Sequence, residues 1–309
     1  MNVLAFDTSN YTTSVAVFDG TQGHNVSRLL DVEQGSLGLR QSDALFAHVK
    51  RLPELTDRLF SDIGEIPFDA IGVSSRPRAV EGSYMPCFLA GQSQAHVIAS
   101  VLHLPVYEFS HQQGHIAASL FSSEHMELMD EPHLAWHLSG GTTELLYVTP
   151  EGCSVHAEKI GGTTDISAGQ LIDRTGKLLG LPFPSGKELD RLSREASDRE
   201  VFRVKVNGTE FSLSGVQNKV EQYHKGSAEE TAAYALRCLI GAILGATKNA
   251  LKEYPGCKVV FAGGVASNSM LRERCRDLPV IFCPAQYATD NALGTAVLTW
   301  RAHHAAAGL

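Results

Sequence analysis

The chain has 309 residues, 43% of them hydrophobic and 19% charged, which excludes a disordered or fibrous protein and leaves room for two α/β domains. Twenty-six Lys and Arg stand against 34 Asp and Glu, a net charge of −8, so the whole molecule repels a nucleic-acid backbone. An RNA substrate therefore requires a local basic patch or a partner protein. No apolar run is long enough to cross a bilayer, and "MNVLAFDTSN" lacks a basic region ahead of an apolar core, so the chain reads as cytoplasmic with no membrane partner. The six cysteines are far apart without a C-x-x-C pair and read as reduced and mostly buried, not as a thiolate zinc knuckle.

In chain order, "NVLAFDTSNYTTSVAVFDG" predicts a hairpin with a hydroxyl-rich tip. Asp7 ends its first strand, where a carboxylate either coordinates cation-bound water and orients phosphate or simply caps the turn. "DAIGVSS" predicts a buried strand, "PCFLAGQSQAHVIASVLHL" a helix, "PVYEF" a strand and "HQQGHIAASLF" the next helix. In that last segment His111 and His115 are four residues apart, a spacing that puts both rings on one helical face within reach of one metal ion. His111 sits at a strand-to-helix junction, the end of a parallel α/β sheet where ligands bind. The spacing is that of H-E-x-x-H, but Gln112 stands where that motif has its general-base glutamate, which argues against a zinc peptidase.

A second hairpin follows in "HLAWHLSGGTTELLYVTPEG", with Thr142-Thr143 at the place of Thr12-Thr13, 130 positions on. The recurrence predicts two related α/β halves facing each other over a cleft. "TTDISAGQLIDRTGKLLG" predicts an amphipathic helix capped by Thr164 or Asp165 and stopped by Gly180. "KELDRLSREAS" predicts a short helix, and "TEFSLSG" a loop or short strand. The long helix from Ala228 opens on a capping box of Ser227 with Glu230, and its internal Gly241 and Gly245 predict close packing. "KVVFAGGVASNSMLRERC" predicts a buried strand turning through Gly263-Gly264 into a helix.

The turns at Thr8 to Thr13, Ser139 to Thr143 and Gly263-Gly264 can offer free amides to phosphate, and together they could grip both ends of a nucleotide. None is a Walker loop or a G-x-G-x-x-G fingerprint. Asp173 and Asp190 read most simply as solvated helix residues. Two imidazoles need a further anionic ligand to hold a metal, and Asp290 is a candidate that could equally cap the helix after it. Arg191, Arg194, Arg199, Arg203 and Lys205 could meet RNA or form a solvated face.

With these motifs laid out, the chain resembles the TsaD family, which transfers a threonylcarbamoyl group to tRNA. "HQQGH" resembles the family's H-x-x-x-H, "LSGGTTELL" its S-G-G-H-T segment, and "AGQLIDRTGKLLGLPFPSG" its A-G-E-A-F-D-K-T-A-K-L-L-G-L-x-Y-P-G-G. "FSLSGVQNKV" is similar to F-S-F-S-G-L-K-T and "AGGVASNSMLRERC" to A-G-G-V-S-A-N-x-x-L-R. The resemblance implies an actin-like ATPase (ASKHA) fold in two duplicated lobes around a nucleotide cleft, with residues 1–108 plus 284–309 as one lobe and 109–283 as the other. It implies that His111, His115 and Asp290 bind iron or zinc. It implies that Ser139, Gly140, Gly141, Asp173, Gly186, Asp190 and Asn268 contact an adenine nucleotide or acyl-adenylate; Asp7, at the end of the first strand, is the catalytic candidate. The implied reaction is attack by N6 of the adenosine beside the anticodon on threonylcarbamoyl-adenylate, releasing AMP, with a TsaB-like protein as a partner.

The chain departs from the family pattern at four places. Asn10-Tyr11-Thr12-Thr13 replaces Cys-Asp-Glu-Thr, Thr142 replaces a histidine, Gln113 a glutamate, and Arg76-Pro77-Arg78 a Gly-Pro-Gly. Two alternatives follow: a non-catalytic, nucleotide-binding paralogue acting through a protein partner, or a carbamoyltransferase with a small-molecule acceptor.

Overall fold

The computed structural model describes residues 1–9, 11–31, 40–224, 226–284 and 292–308. The chain divides into two compact units, one of Met1–Glu131, Thr149–Ala157 and Asp290–Leu309, the other of Pro132–Val148 and Glu158–Thr289. The first unit runs past residue 108, so the helix bearing His111 and His115, expected in the second lobe, packs with the first.

In the first unit β1 (Val3–Asp7), β2 (Thr12–Phe18) and β3 (Gly23–Leu29) form an antiparallel meander. On the other side of β1 lie β4 (Ala70–Arg76) and β5 (Val106–Ser110), both parallel to it, which gives the order β3-β2-β1-β4-β5. β1 and β2 are buried along their whole length, hence their near-continuous runs of Val, Ala and Phe. Helix α1 (Gln41–Ile63) packs on β2 and β3, α2 (Leu89–Leu102) packs on β4, and α3 (His111–Ser122) leaves the end of β5 directly.

The second unit carries β6 (His133–Leu138), β7 (Thr143–Glu151), β8 (Ser154–Thr163), the short β9 (Val206–Asn207) and β10 (Glu210–Phe211), β11 (Val259–Ala262) and β12 (Val280–Phe282) in the order β12-β11-β6-β7-β8-β10-β9. Within it, β8-β7-β6-β11-β12 repeats the order of the first sheet, and the senses of the β6-β7, β6-β11 and β11-β12 pairs match their counterparts. The duplication read from two hairpin tips is thus a duplication of whole sheets.

Helices α4 (Ala168–Leu178), α5 (Gly186–Ser193), α6 (Ser214–Tyr223) and α7 (Ala228–Glu253) cover this sheet, and α8 (Ser269–Arg274) joins β11 to β12. Trp136 is fully buried among Phe211, Phe261 and α7, and its indole N–H donates to Thr247 Oγ1 at 2.9 Å. Gly245 brings α7 close to Val206, whereas Gly241 faces open space and has no packing role.

Two helix starts differ from the sequence reading. The N-cap of α4 is Ser167, in a reciprocal box with Gln170, not Thr164 or Asp165. Asp165 instead accepts from the Ser212 and Ser214 hydroxyls at 2.5 and 2.6 Å and from the Leu213 amide at 2.8 Å, which fixes the "FSLSG" segment. At α7 only half the predicted box forms. Ser227 accepts from the Glu230 amide at 3.2 Å, while the Glu230 carboxylate holds the amides of Ser197 and Asp198 at 2.8 and 3.1 Å.

Helix α9 (Leu293–Ala306) lies across β1, β2, β4 and α3 of the first unit. A Cβ on Gly294 would lie 1.8 Å from the Gly114 carbonyl oxygen, and one on Gly72 of β4 would lie 1.9 Å from Thr299 Oγ1. The two helices therefore meet backbone to backbone, Gly72 makes room on β4 for the Thr299 side chain of α9, and small residues permit both approaches.

Two outcomes follow. Gly294→Ala must part α3 from α9, because the obstructing atom is backbone, and it should cost about 3 kcal/mol in denaturant unfolding. Burial works against charge on Asp165, but the Ser212 and Ser214 hydroxyls and the Leu213 and Ser214 amides outweigh it and hold this carboxyl well below the usual carboxylate range. Its contribution to stability is then present above an unfolded value near pH ~4 and is lost as pH falls toward the lower folded value. Thermal unfolding across pH should show the wild type and Asp165→Asn converging below that point.

Candidate functional site

Two groups of side chains carry the chemistry, one in each unit. In the first, α3 opens at the carboxyl end of β5 with Ser110 as N-cap. Ser110 Oγ accepts from the Gln113 amide at 3.2 Å and Gln113 Oε1 accepts from the Ser110 amide at 2.8 Å, a closed capping box. Gln113 Nε2 also donates to the Val155 carbonyl at 2.9 Å. That third bond requires an amide, since an ionised carboxylate has no N–H to give.

The box orients the first turn, so the His111 and His115 rings stand together with centroids 4.3 Å apart and planes at 81°. His111 Nδ1 lies 2.7 Å from Asp7 Oδ2. Asp7 is 1% exposed and also accepts from Ser74 Oγ at 2.6 Å and from the Ser9 amide at 2.8 Å. Ser74 Oγ in turn meets Thr295 Oγ1 of α9 at 2.9 Å. Because the carboxylate accepts, Nδ1 carries the proton, and in the neutral ring Nε2 keeps the lone pair that binds a ligand. Asp7 thus caps its turn, one of the roles its sequence position left open, and also orients an imidazole, which the sequence reading did not foresee. Asp290 lies outside the described residues; among the described residues no third metal-binding side chain completes a cluster with the pair.

The second group lines a cavity of about 450 Å³ within the second unit, inside the ~300–1,000 Å³ range of small-molecule sites. Gly140 enters it from the β6–β7 turn, Asp173 from α4, Gly186 and Asp190 from α5, and Asn268 from the cap of α8. Five of the seven residues assigned to nucleotide contact therefore share one cavity. Ser139 and Gly141 do not line it but belong to the same turn, which closes through the Ser139 amide on the Thr142 carbonyl at 2.8 Å and the Thr142 amide on Ser139 Oγ at 3.1 Å.

Close approach fixes the cavity walls. A Cβ on Gly169 would lie 2.4 Å from Gly140 Cα, and Ser167 Oγ donates to the Gly140 carbonyl at 2.6 Å, so the turn is sewn to the start of α4. Gly263, at φ +95°, sits where a Cβ would be 2.2 Å from the Leu138 carbonyl oxygen, and it delivers Gly264 to the cavity. Neither aspartate is merely solvated. Asp173 Oδ1 accepts from the Ser185 amide at 2.9 Å and so holds the "LPFPSG" loop, while Asp190 Oδ1 accepts from Asn268 Nδ2 at 3.0 Å and Ser269 Oγ at 2.8 Å. The sequence reading missed Lys187, which adds a cation to this wall, and Ser74 and Thr295, which act on His111 only through Asp7. "SGK" was the available signal for Lys187; nothing local marked the other two.

The repeated sheet order defines an actin-like ATPase fold. HypF from T. kodakarensis superposes on 99% of this chain and 48% of its own with a TM-score of 0.64 and 14% identity. The ROK hexokinase from Thermus thermophilus does so over 97% and 98% with a TM-score of 0.53 and 18% identity. The family model for TsaD, tRNA N6-adenosine threonylcarbamoyltransferase, matches residues 34–297. Proteins of that name from Lacticaseibacillus casei (strain BL23) and Streptococcus pneumoniae (strain Hungary19A-6) are 32% and 31% identical, covering 98% and 94% of this chain and 94% and 89% of theirs. The chain belongs to the TsaD family.

Gln113→Glu tests the departure inside "HQQGH". The carboxylate keeps the capping box but faces the Val155 carbonyl without a donor, so unfolding free energy at pH 7 should fall by about 1–3 kcal/mol. The loss should shrink toward pH 4 as the glutamic acid regains a proton to donate. A pH-independent loss would show that the amide's third bond is not the cause.

Proposed function

We propose that this chain transfers the threonylcarbamoyl group of threonylcarbamoyl-adenylate to N6 of the tRNA adenosine beside the anticodon. Its membership of the TsaD family over nearly its full length, with the family's nucleotide motifs meeting in one cavity, carries the proposal. The amine nitrogen attacks the carbamoyl carbon, the C–O bond to the adenylate phosphate breaks, AMP leaves, and the amine proton passes to a base.

Within this reading each residue has a part. Gly140 and Gly264 line the cavity without side chains, so their backbone can come close to the adenylate, and Lys187 places positive charge where the phosphate departs. Asp190 and Asn268 brace the wall against α8. His111, His115 and Asp290 would hold one iron or zinc ion; when bound, it supplies a Lewis acid for carbonyl or phosphate oxygen. The donor set fits such an ion, because Asp7 presets the His111 ring as second carboxylates do in metal sites. Asp7 is thus a positioning group in this reading. A TsaB-like partner in the cytoplasm would supply the surface that a chain of net charge −8 needs to meet RNA. The relatives are named for the tRNA reaction, which lends no support to the paralogue or small-molecule readings.

A single-turnover assay with threonylcarbamoyl-adenylate, unmodified tRNA and the TsaB-like partner tests this. Wild type should form the modified adenosine, and His111→Ala should lose at least about 100-fold. Lys187→Ala should lower the maximal single-turnover rate about tenfold, with a smaller change in the half-saturating adenylate concentration. Metal analysis should find one iron or zinc per chain, lost in His115→Ala. Tight ATP binding with no transfer by the wild type would overturn the reading.

A further inference from the structure

The second unit has another cavity, of about 730 Å³, that the reaction above does not use. Arg194 at the end of α5, Arg199 in the segment after it, Arg237 of α7 and Arg274 of α8 all line it, together with Asp198 and Glu273. Arg237 is the unusual member. It is 7% exposed, its Nε donates to the Glu200 carbonyl at 2.9 Å, and its Nη2 is buried with no hydrogen-bond partner. A buried guanidinium donor without an acceptor forfeits its hydration with no bond in return, so such groups call for an explanation.

The nearby acids do not supply it. Asp198 accepts from the Tyr223 hydroxyl and from the Glu200 amide, and Asp190 takes up Arg194 at 2.8 Å. Neither Arg199 nor Arg274 forms an ion pair among the described residues. Arg191, counted with the basic stretch in the sequence, is spent on Glu188 and Glu195 and does not line the cavity. With Arg194 taken by Asp190, three guanidinium groups without an ion pair among the described residues thus face Asp198 and Glu273, and Asp198, whose charge Arg237 helps to hold, already accepts two hydrogen bonds. Planar guanidinium forks match the oxygens of a phosphate, which can accept from several at once.

We propose that this cavity binds a phosphate group through Arg199, Arg237 and Arg274. Ser269 borders it and donates to Asp190, which lines the nucleotide cavity, so the two cavities share a wall. The phosphate is either a phosphodiester of the RNA acceptor, an assignment that rests on the function proposed above, or free inorganic phosphate. A phosphodiester here would meet the need for a local basic patch on an acidic chain.

The test uses the full chain with inorganic phosphate followed by thermal shift, and unmodified tRNA followed by filter binding over a salt series. Phosphate should raise the melting temperature of the wild type, and Arg237→Met should abolish the rise. Should that buried variant fail to fold, the exposed pair Arg199→Ala with Arg274→Ala decides. If the occupant is an RNA phosphodiester, that pair weakens tRNA binding about tenfold or more and lowers the salt slope by about two, with AMP binding unchanged. Loss of the phosphate response with tRNA affinity intact assigns the site to free phosphate. An unchanged phosphate response together with unchanged tRNA affinity in the pair overturns the proposal. A failed transfer assay beside a lost phosphate response would remove the acceptor and leave the phosphate site standing.

Discussion

The contact on which the first unit depends is the backbone approach of α3 to α9 at Gly114 and Gly294. It places Thr295 against Ser74, Ser74 against Asp7 and Asp7 against His111, so a helix near the end of the chain fixes an imidazole near its middle. Magnitudes show what this chain of contacts is for. Burying a carboxylate costs several kcal/mol, and three charge-assisted hydrogen bonds return about 1.5–3 kcal/mol each, so Asp7 roughly breaks even in stability. What remains is direction: a fixed ring tautomer and a fixed lone pair. A residue that gains little for folding but aims an imidazole nitrogen is more readily explained by function than by packing.

The second unit reaches a preformed cavity by the same economy of small residues. Gly169 lets α4 touch the β6–β7 turn and Gly263 lets β11 turn against the end of β6. The aspartates on the walls then work as struts. Asp173 holds the loop that begins α5, and Asp190 ties α5 to α8. Apart from Arg194 on Asp190 Oδ2, their hydrogen-bond partners are backbone amides and short side chains, which lack the rotamer freedom that would let the walls breathe. A site built this way needs little reorganisation when an anion arrives, which is the condition for electrostatic stabilisation of a leaving phosphate.

Much of this was legible because the informative signals were local. The hairpins, the alternation of strand and helix, and the glycines before α8 follow from periodicity and turn chemistry within a few residues. Two of the misreadings were cases where a side chain with a good local role took a distant one. Asp165 could have capped α4, but it pins Ser212 and Ser214 instead. Glu230 could have closed its box, yet it gathers Ser197 and Asp198. Gly241 looked like a packing glycine and faces open space. Ser74 and Thr295, 221 positions apart, could not have been linked to His111 by any pattern in the sequence. Asp290, expected with His111 and His115 to hold a metal ion, lies outside the described residues.

The departures from the family pattern take on a different weight once their surroundings are known. Gln113 keeps the capping box that a glutamate would form and adds a bond to Val155, so the change strengthens the frame of α3 without touching either imidazole. Thr13 binds His48 Nδ1 at 2.8 Å, anchoring the start of β2 to α1. The change at residue 113 therefore falls on the frame that holds the first turn of α3, whereas the aim of His111 is set by a separate set of contacts through Asp7, Ser74 and Thr295. Two independent supports for one turn explain how a substitution in the first can leave the second intact.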